Sequence, residues 1–299
     1  MIAGRVTEIR WENVPEAGQI QIRKISADFN EINGFPAGTP LQGAIFEILD
    51  QRTGNIVDRI ISNEHGMAVS RPLPLGRYNI REVQAPPFYK INPQVLDVTI
   101  EFATQIICAE FANESANLGT SVSKTGPREV VAGQNHVVYE IRRLRNDSTV
   151  PLYDFYFRDI LPSDAFRVER IVTGTFNNSL RYRVEALTNT GRTVIVADNL
   201  QTTRNNVIEM RPVALGLASN EFVTEFRFIF GQVPAGFSIV EHMRIEGRIQ
   251  QQAFPNGFEF ANRVDVGGRH GGEWIVSGDS VVTTIFAPGR GGNIPRTGW

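Results

Sequence analysis

The stretch Pro40-Leu41-Gln42-Gly43-Ala44-Ile45-Phe46-Glu47-Ile48-Leu49 sets the character of the whole chain. A proline and a glycine mark a turn, and the run after them alternates its side chains with the two-residue period of a half-buried strand. Gln19-Ile20-Gln21-Ile22 and Leu96-Asp97-Val98-Thr99-Ile100 repeat the pattern between Gly, Pro and Asn breakers. Longer strands are predicted from Val137 to Arg145, Phe222 to Phe230 and Ile239 to Gln250. No stretch reads as a convincing helix. Turns spaced this regularly predict an all-β chain of sandwich domains.

The chain has 299 residues, enough for two ordinary domains, and its 41% hydrophobic and 21% charged content is that of a soluble globular protein. Asn113-Glu114-Ser115-Ala116-Asn117-Leu118-Gly119 is a short polar connection and the expected boundary. Beyond Ala287 the run Pro-Gly-Arg-Gly-Gly-Asn predicts a flexible tail. A net charge of -2 argues against a nucleic-acid partner, which needs a concentrated basic face. No apolar run approaches the roughly 20 residues of a membrane span, so no membrane partner is expected for this fragment. Met1 is followed by a polar, strand-like segment rather than a secretory leader, and the chain is expected to be trimmed at both ends.

Cys108 is the single cysteine, which excludes internal disulfides. His65, His136, His242 and His270 are scattered without metal-ligand spacing, so neither metal nor cofactor is expected. No nucleophile–base or carboxylate pair supports an enzyme with turnover. The basic residues are more informative. Lys24, Lys90 and Lys124 are the only lysines among 30 Lys and Arg. Lysine can lose its proton and act as an amine nucleophile, which arginine cannot.

Between about residues 17 and 115 come, in order, Ile20-Gln21-Ile22-Arg23-Lys24, Pro40 to Phe46, Gly66-Met67-Ala68, Leu73-Pro74-Leu75-Gly76-Arg77-Tyr78, Glu82-Val83-Gln84-Ala85-Pro86 with Tyr89, and Phe111-Ala112-Asn113. In this order they resemble the prealbumin-like pilin domain, the SpaA-type or collagen-adhesin B-type repeat. The resemblance implies an isopeptide bond between Lys24 and Asn113, promoted by Glu82. Strand alternation puts Lys24 on the face of Ile20 and Ile22, Glu82 on that of Tyr78 and Ile80, and Asn113 on that of Ala109 and Phe111. Burial there lowers a lysine's pKa and raises a carboxylic acid's, giving a neutral amine and an acid able to polarise the amide. The alternative is a buried Lys–Glu ion pair with a hydrogen-bonded asparagine and no covalent bond.

From about 117 to 288 the chain carries Val122-Ser123-Lys124-Thr125-Gly126, Val138-Tyr139-Glu140-Ile141, Arg158-Asp159-Ile160-Leu161-Pro162 and a final strand Phe260-Ala261-Asn262-Arg263-Val264. These pieces are similar, more weakly, to the larger isopeptide-forming sandwich domains of fimbrial and surface-repeat proteins. The likeness implies a Lys124–Asn262 bond promoted by Asp159. Alternation places Lys124 with Leu118, Thr120 and Val122, Asp159 with Tyr153, Phe155 and Phe157, and Asn262 with Phe258, Phe260 and Val264. The alternative is a turn aspartate and a structural asparagine.

Trp11 to Gly18 resembles the junction between two repeats of the first family, which makes residues 1–16 a remnant of a preceding domain or a linker. Ile294-Pro295-Arg296-Thr297-Gly298 resembles the sortase sorting signal, with isoleucine in place of leucine. Lys90 reads as a surface lysine. The resemblance thus implies tandem immunoglobulin-like/prealbumin-like β-sandwiches of an extracellular, cell-wall-anchored stalk or pilin of a Gram-positive bacterium. Its partners would be sortase and the cell wall or a neighbouring pilin subunit. The competing reading is an adhesin binding a host or matrix ligand, with the segments Asn177 to Asn206 or Gly267 to Gly272 as its surface. An accessory module of a secreted enzyme is a third.

Overall fold

The computed structural model describes residues 16–287, and none of them is helical. The chain divides between Ala116 and Asn117 into two compact units.

The first unit runs through β1 (Ala17–Ser26), β2 (Ile45–Asp50), β3 (Ile56–Ile61), β4 (Met67–Val69), β5 (Leu73–Pro74), β6 (Gly76–Gln84), β7 (Val95–Ile100) and β8 (Ile106–Asn113). Strand β1 lies between β8 on one edge and β4 and β5 on the other, and β3-β2-β6-β7 form the second sheet. Both sheets turn their apolar residues inward. Ile20 and Ile22 from β1, Phe46 and Ile48 from β2, Tyr78 and Ile80 from β6, and Phe111 from β8 make one buried cluster. Each such side chain contributes about 1.5–3 kcal/mol on leaving water. The first and last strands pair in parallel, with Lys24 opposite Phe111 and Ser26 opposite Asn113. Parallel neighbours cannot be joined by a hairpin, so the whole unit is the connection between them.

The second unit contains β9 (Thr120–Thr125), β10 (Glu129–Val131), β11 (Val137–Asn146), β12 (Leu152–Ile160), β13 (Phe166–Val172), β14 (Thr175–Phe176), β15 (Arg181–Thr188) and β16 (Thr193–Gln201). It continues with β17 (Val207–Glu209), β18 (Val223–Val233), β19 (Ile239–Glu241), β20 (Met243–Ile249), β21 (Phe258–His270) and β22 (Glu273–Phe286). A seven-stranded sheet β10-β22-β21-β12-β18-β15-β16 and a five-stranded sheet β17-β13-β20-β11-β9 carry the core, with β14 and β19 as a separate pair. Aromatic rings fill one region, where Phe176 stacks on Phe237 with centroids 5.0 Å apart and Tyr182 stacks on Phe228 at 5.5 Å.

Three readings of the second unit change. The strand expected from Ile239 to Gln250 is broken at His242, because β14 takes the hydrogen bonds of Ile239–Glu241 and draws them out of line with β20. Asn262 lies on the penultimate strand, since β22 follows and pairs along the full length of β21. Tyr153 does not share the face of Phe155, Phe157 and Asp159. It is 46% exposed while Leu152 is buried, because the register of β12 shifts there and Asp154 takes a φ of 50°. The segment Asn177 to Asn206 contains the β15–β16 hairpin at the edge of the seven-stranded sheet, and Gly267 to Gly272 runs from β21 into its turn. The Trp11 to Pro15 part of the junction and the motif Ile294 to Gly298 lie outside the described residues.

Candidate functional site

In the first unit, three strands deliver Lys24, Glu82 and Asn113 to one point between the sheets. Lys24 is wholly buried, and neither its side chain nor that of Glu82 reaches solvent. Lys24 Nζ donates to Asn113 Oδ1. Glu82 Oε1 lies 3.1 Å from Lys24 Nζ and accepts from Asn113 Nδ2 at 3.0 Å. The amine therefore touches the amide it would attack, with the carboxyl group spanning both. Phe46 and Phe111 complete the shell, their ring centroids 5.8 and 5.9 Å from Nζ. Burial pushes the Lys24 amine below its ordinary value, against the opposing pull of Glu82.

The surrounding chain fixes this geometry. Gly66 O accepts from Lys24 N at 2.7 Å, and a Cβ on Gly66 would meet Lys24 O at 2.4 Å. Its φ of 71° and this close approach together require glycine. Asn92 is a residue that sequence reasoning missed. Its backbone N–H donates to Glu82 Oε2 at 2.6 Å, and its Nδ2 donates to Ala112 O at 2.9 Å, tying the carboxylate to the strand that carries Asn113. The available signal was an asparagine before Pro93, in the loop after Glu82.

In the second unit, Lys124 on β9 and Asp159 on β12 come from opposite sheets. Lys124 Nζ donates to Asp159 Oδ2 at 2.6 Å, and Nζ lies 5.2 Å from the centroid of the Tyr139 ring. Tyr139 and Thr283 hydroxyls are 3.0 Å apart, and Thr283 Oγ1 donates to Pro127 O at 2.8 Å. With its proton so used, Thr283 accepts from Tyr139. Burial pushes the Lys124 amine down and the Asp159 carboxyl up, each opposed by the other's charge. Burial also pushes the Tyr139 phenol up to about 12.

Asn262 is not hydrogen-bonded to either partner. Its register neighbour Val264 lies opposite Asp159, which puts Asn262 on the same inward face of the sheet. Asn262 is fully buried, and its Oδ1 and Nδ2, like Asp159 Oδ1, have no hydrogen-bond partner among the described residues. Buried amides without partners are rare and cost about 1–3 kcal/mol per group. Asp279 was also missed by sequence reasoning. Its Oδ2 accepts from Lys124 N at 2.7 Å, docking β9 against β22. The alternation of Val281, Thr283 and Ile285 marks Asp279 as sharing their face. Lys90 belongs to neither cluster and pairs with Glu114 at 2.7 Å.

The chain is similar to the trypsin-resistant surface T6 protein of Streptococcus pyogenes serotype M6, with 28% identity over 105 residues. That alignment covers 34% of this chain and 19% of the streptococcal protein, so the chain spans about a fifth of its relative's length. Similar solved structures include the major pilin subunit of Bacillus cereus, with 12% identity, a TM-score of 0.29, and coverage of 91% of this chain and 69% of that one. The full-length pilus protein of Streptococcus pneumoniae has 10% identity and a TM-score of 0.34, covering 86% of this chain and 49% of that one. Residues 18–115 match the SpaA family model, described as a prealbumin-like fold domain. The first unit is accordingly a SpaA-type prealbumin-like domain.

Proposed function

We propose that this chain is a structural stalk or pilin module of a Gram-positive cell-surface protein, with each of its two sandwich domains locked by a lysine–asparagine isopeptide bond. The observation that carries the reading is the contact of Lys24 Nζ with the Asn113 amide under a bridging Glu82, all inside an apolar shell. A neutral Lys24 Nζ adds to Asn113 Cγ while Glu82 hydrogen-bonds the amide. The C–Nδ2 bond breaks, Nδ2 leaves as ammonia with the proton shed by Nζ, and an amide remains. The same step in the second domain joins Lys124 to Asn262 with Asp159 as the acid. Each happens once, without turnover.

Such bonds suit a load-bearing role. A crosslink closing a loop of 89 residues contributes about 4–5 kcal/mol in the chain-entropy account. Anchoring by sortase at Ile294 to Gly298, and contact with the cell wall or a neighbouring pilin subunit, belong to the same proposal.

The intact mass of the denatured protein tests it, with Lys24→Ala and Lys124→Ala variants alongside. Two ammonia molecules should be missing from the calculated mass, one restored by each variant. An unshifted mass would leave two buried ion pairs and overturn the crosslinks. A loss of one would confine them to a single domain.

A further inference from the structure

The second unit holds a cavity of about 750 Å³ beside Arg167 that has no part in the crosslinking clusters. Three arginines line it, and two are already paired. Arg211 Nη2 lies 2.7 Å from Glu209, and Arg248 Nε lies 3.5 Å from Glu169. Glu221, also in the lining, is held by Arg192 at 3.3 Å and by the hydroxyls of Thr188 and Thr190. Arg167 is different. It is half-buried, its guanidinium carbon stands 3.8 Å from the centroid of the Phe222 ring, and it forms no hydrogen bond or ion pair among the described residues. Asp164 attracts it only at a distance, and Arg248 lies directly opposite it across β13 and β20. Like charges facing across a strand pair destabilise each other unless an anion intervenes.

The site is also held in place. Phe222 N donates to Asn189 Oδ1 at 2.9 Å, and Glu221 accepts from Ala218 N at 3.3 Å, so the segment leading to the ring is tied down. A guanidinium stacked on a fixed aromatic ring keeps its in-plane donors aimed, as bidentate recognition of a carboxylate requires. The cavity has room for much more than a carboxylate. Asn135, Ser219, Asn220 and Gln251 in the lining carry amide or hydroxyl groups suited to sugar hydroxyls, while Gln250 Nε2 is already taken up by Ser163 O and Asp164 O.

We propose that the Arg167–Phe222 cavity binds an acidic sugar, with its carboxylate on Arg167 and its hydroxyls on the surrounding amides.

The test is an NMR titration of the full chain with N-acetylneuraminic acid and with glucuronic acid. Resonances of Arg167, Val168, Phe222 and Gln250 should move with at least one of them. The methyl ester of that sugar should bind about tenfold more weakly or worse, the loss expected for a charge-assisted hydrogen bond. Arg167→Met should weaken the free acid equally, and the ester comparison stands even if that variant folds poorly. The assignment is overturned if neither sugar moves these resonances or if the ester binds as well as the acid. It is equally overturned if acetate matches the sugar, which makes this a simple anion site, or if a glutamate-rich peptide binds there and the sugars do not.

Discussion

Lys124 Nζ and Asp159 Oδ2 lie 2.6 Å apart, and neither side chain reaches solvent. Desolvating two charges in this way costs several kcal/mol per ion, which their attraction offsets only in part. Burial therefore pushes the pair toward the neutral arrangement, with the proton on the carboxyl group. That is also the arrangement in which an amine is nucleophilic and an acid can donate to an amide.

Removing either acid should leave its own unit uncrosslinked and the other unaffected. In a denaturing mass measurement, Glu82→Ala and Asp159→Ala proteins should each fall one ammonia short of their own calculated mass, where the unaltered chain falls two short. A Glu82→Ala protein still two ammonia short of its calculated mass would show that the carboxyl group has no part in the chemistry.

Pulling on the first unit should reveal the bond mechanically. With Lys24 joined to Asn113, the 89-residue segment between them cannot extend. Lys24→Ala should release it and add about 300 Å of contour length at ~3.3–3.6 Å per residue. Single-molecule force spectroscopy that finds this step in the unaltered chain would count against the crosslink.

An Asn262→Ala protein keeps Lys124 beside Asp159 with nothing to attack, and its stability should respond to pH at both ends. Asp159's pKa is raised on folding, so from the ordinary aspartate value of about 4 up through the raised value the folded state binds more protons, and stability falls as pH rises. Lys124's pKa is lowered on folding, so between its lowered value and the ordinary value of about 10.4 the unfolded state binds more protons, and stability rises with pH. Urea unfolding across this range should therefore pass through a minimum. A flat profile would mean the pair is solvated.

Gly126→Ala should weaken the second unit. A Cβ there would lie 2.2 and 2.6 Å from two carbons of the Tyr139 ring, which is buried and held by Thr283. Overpacking of this kind costs about 1–3 kcal/mol, and displacing the ring should slow crosslinking in this unit alone. Chemical denaturation and the time course of ammonia loss after refolding measure the two effects.

Alternation and turn chemistry were enough to read the fold class, because each strand carries its own period whatever it pairs with. Lys24, Glu82 and Asn113 could be placed on apolar faces for the same reason, since Ile20, Tyr78 and Phe111 define those faces within a few residues. The first unit was recognisable from motifs spread along its length. Tyr153 was misplaced because a bulge shifts the count by one, and nothing in Tyr153-Asp154 announces it. The break at His242 depends on β14, which is distant in sequence and competes for the same hydrogen bonds.

The sequence by itself determined which side chains turn inward, since facing is a local property of the strand. Only the tertiary structure decided what those side chains meet. The parallel pairing of β1 with β8 brings Lys24 against Asn113, and the stacking of two sheets brings Lys124 against Asp159. It also placed Asn92 on Glu82 and, among the described residues, left the Asn262 amide unpartnered and Arg167 on Phe222 without a counter-ion. Those are contacts between strands and loops far apart in the chain, fixed by pairing and packing that no local pattern encodes.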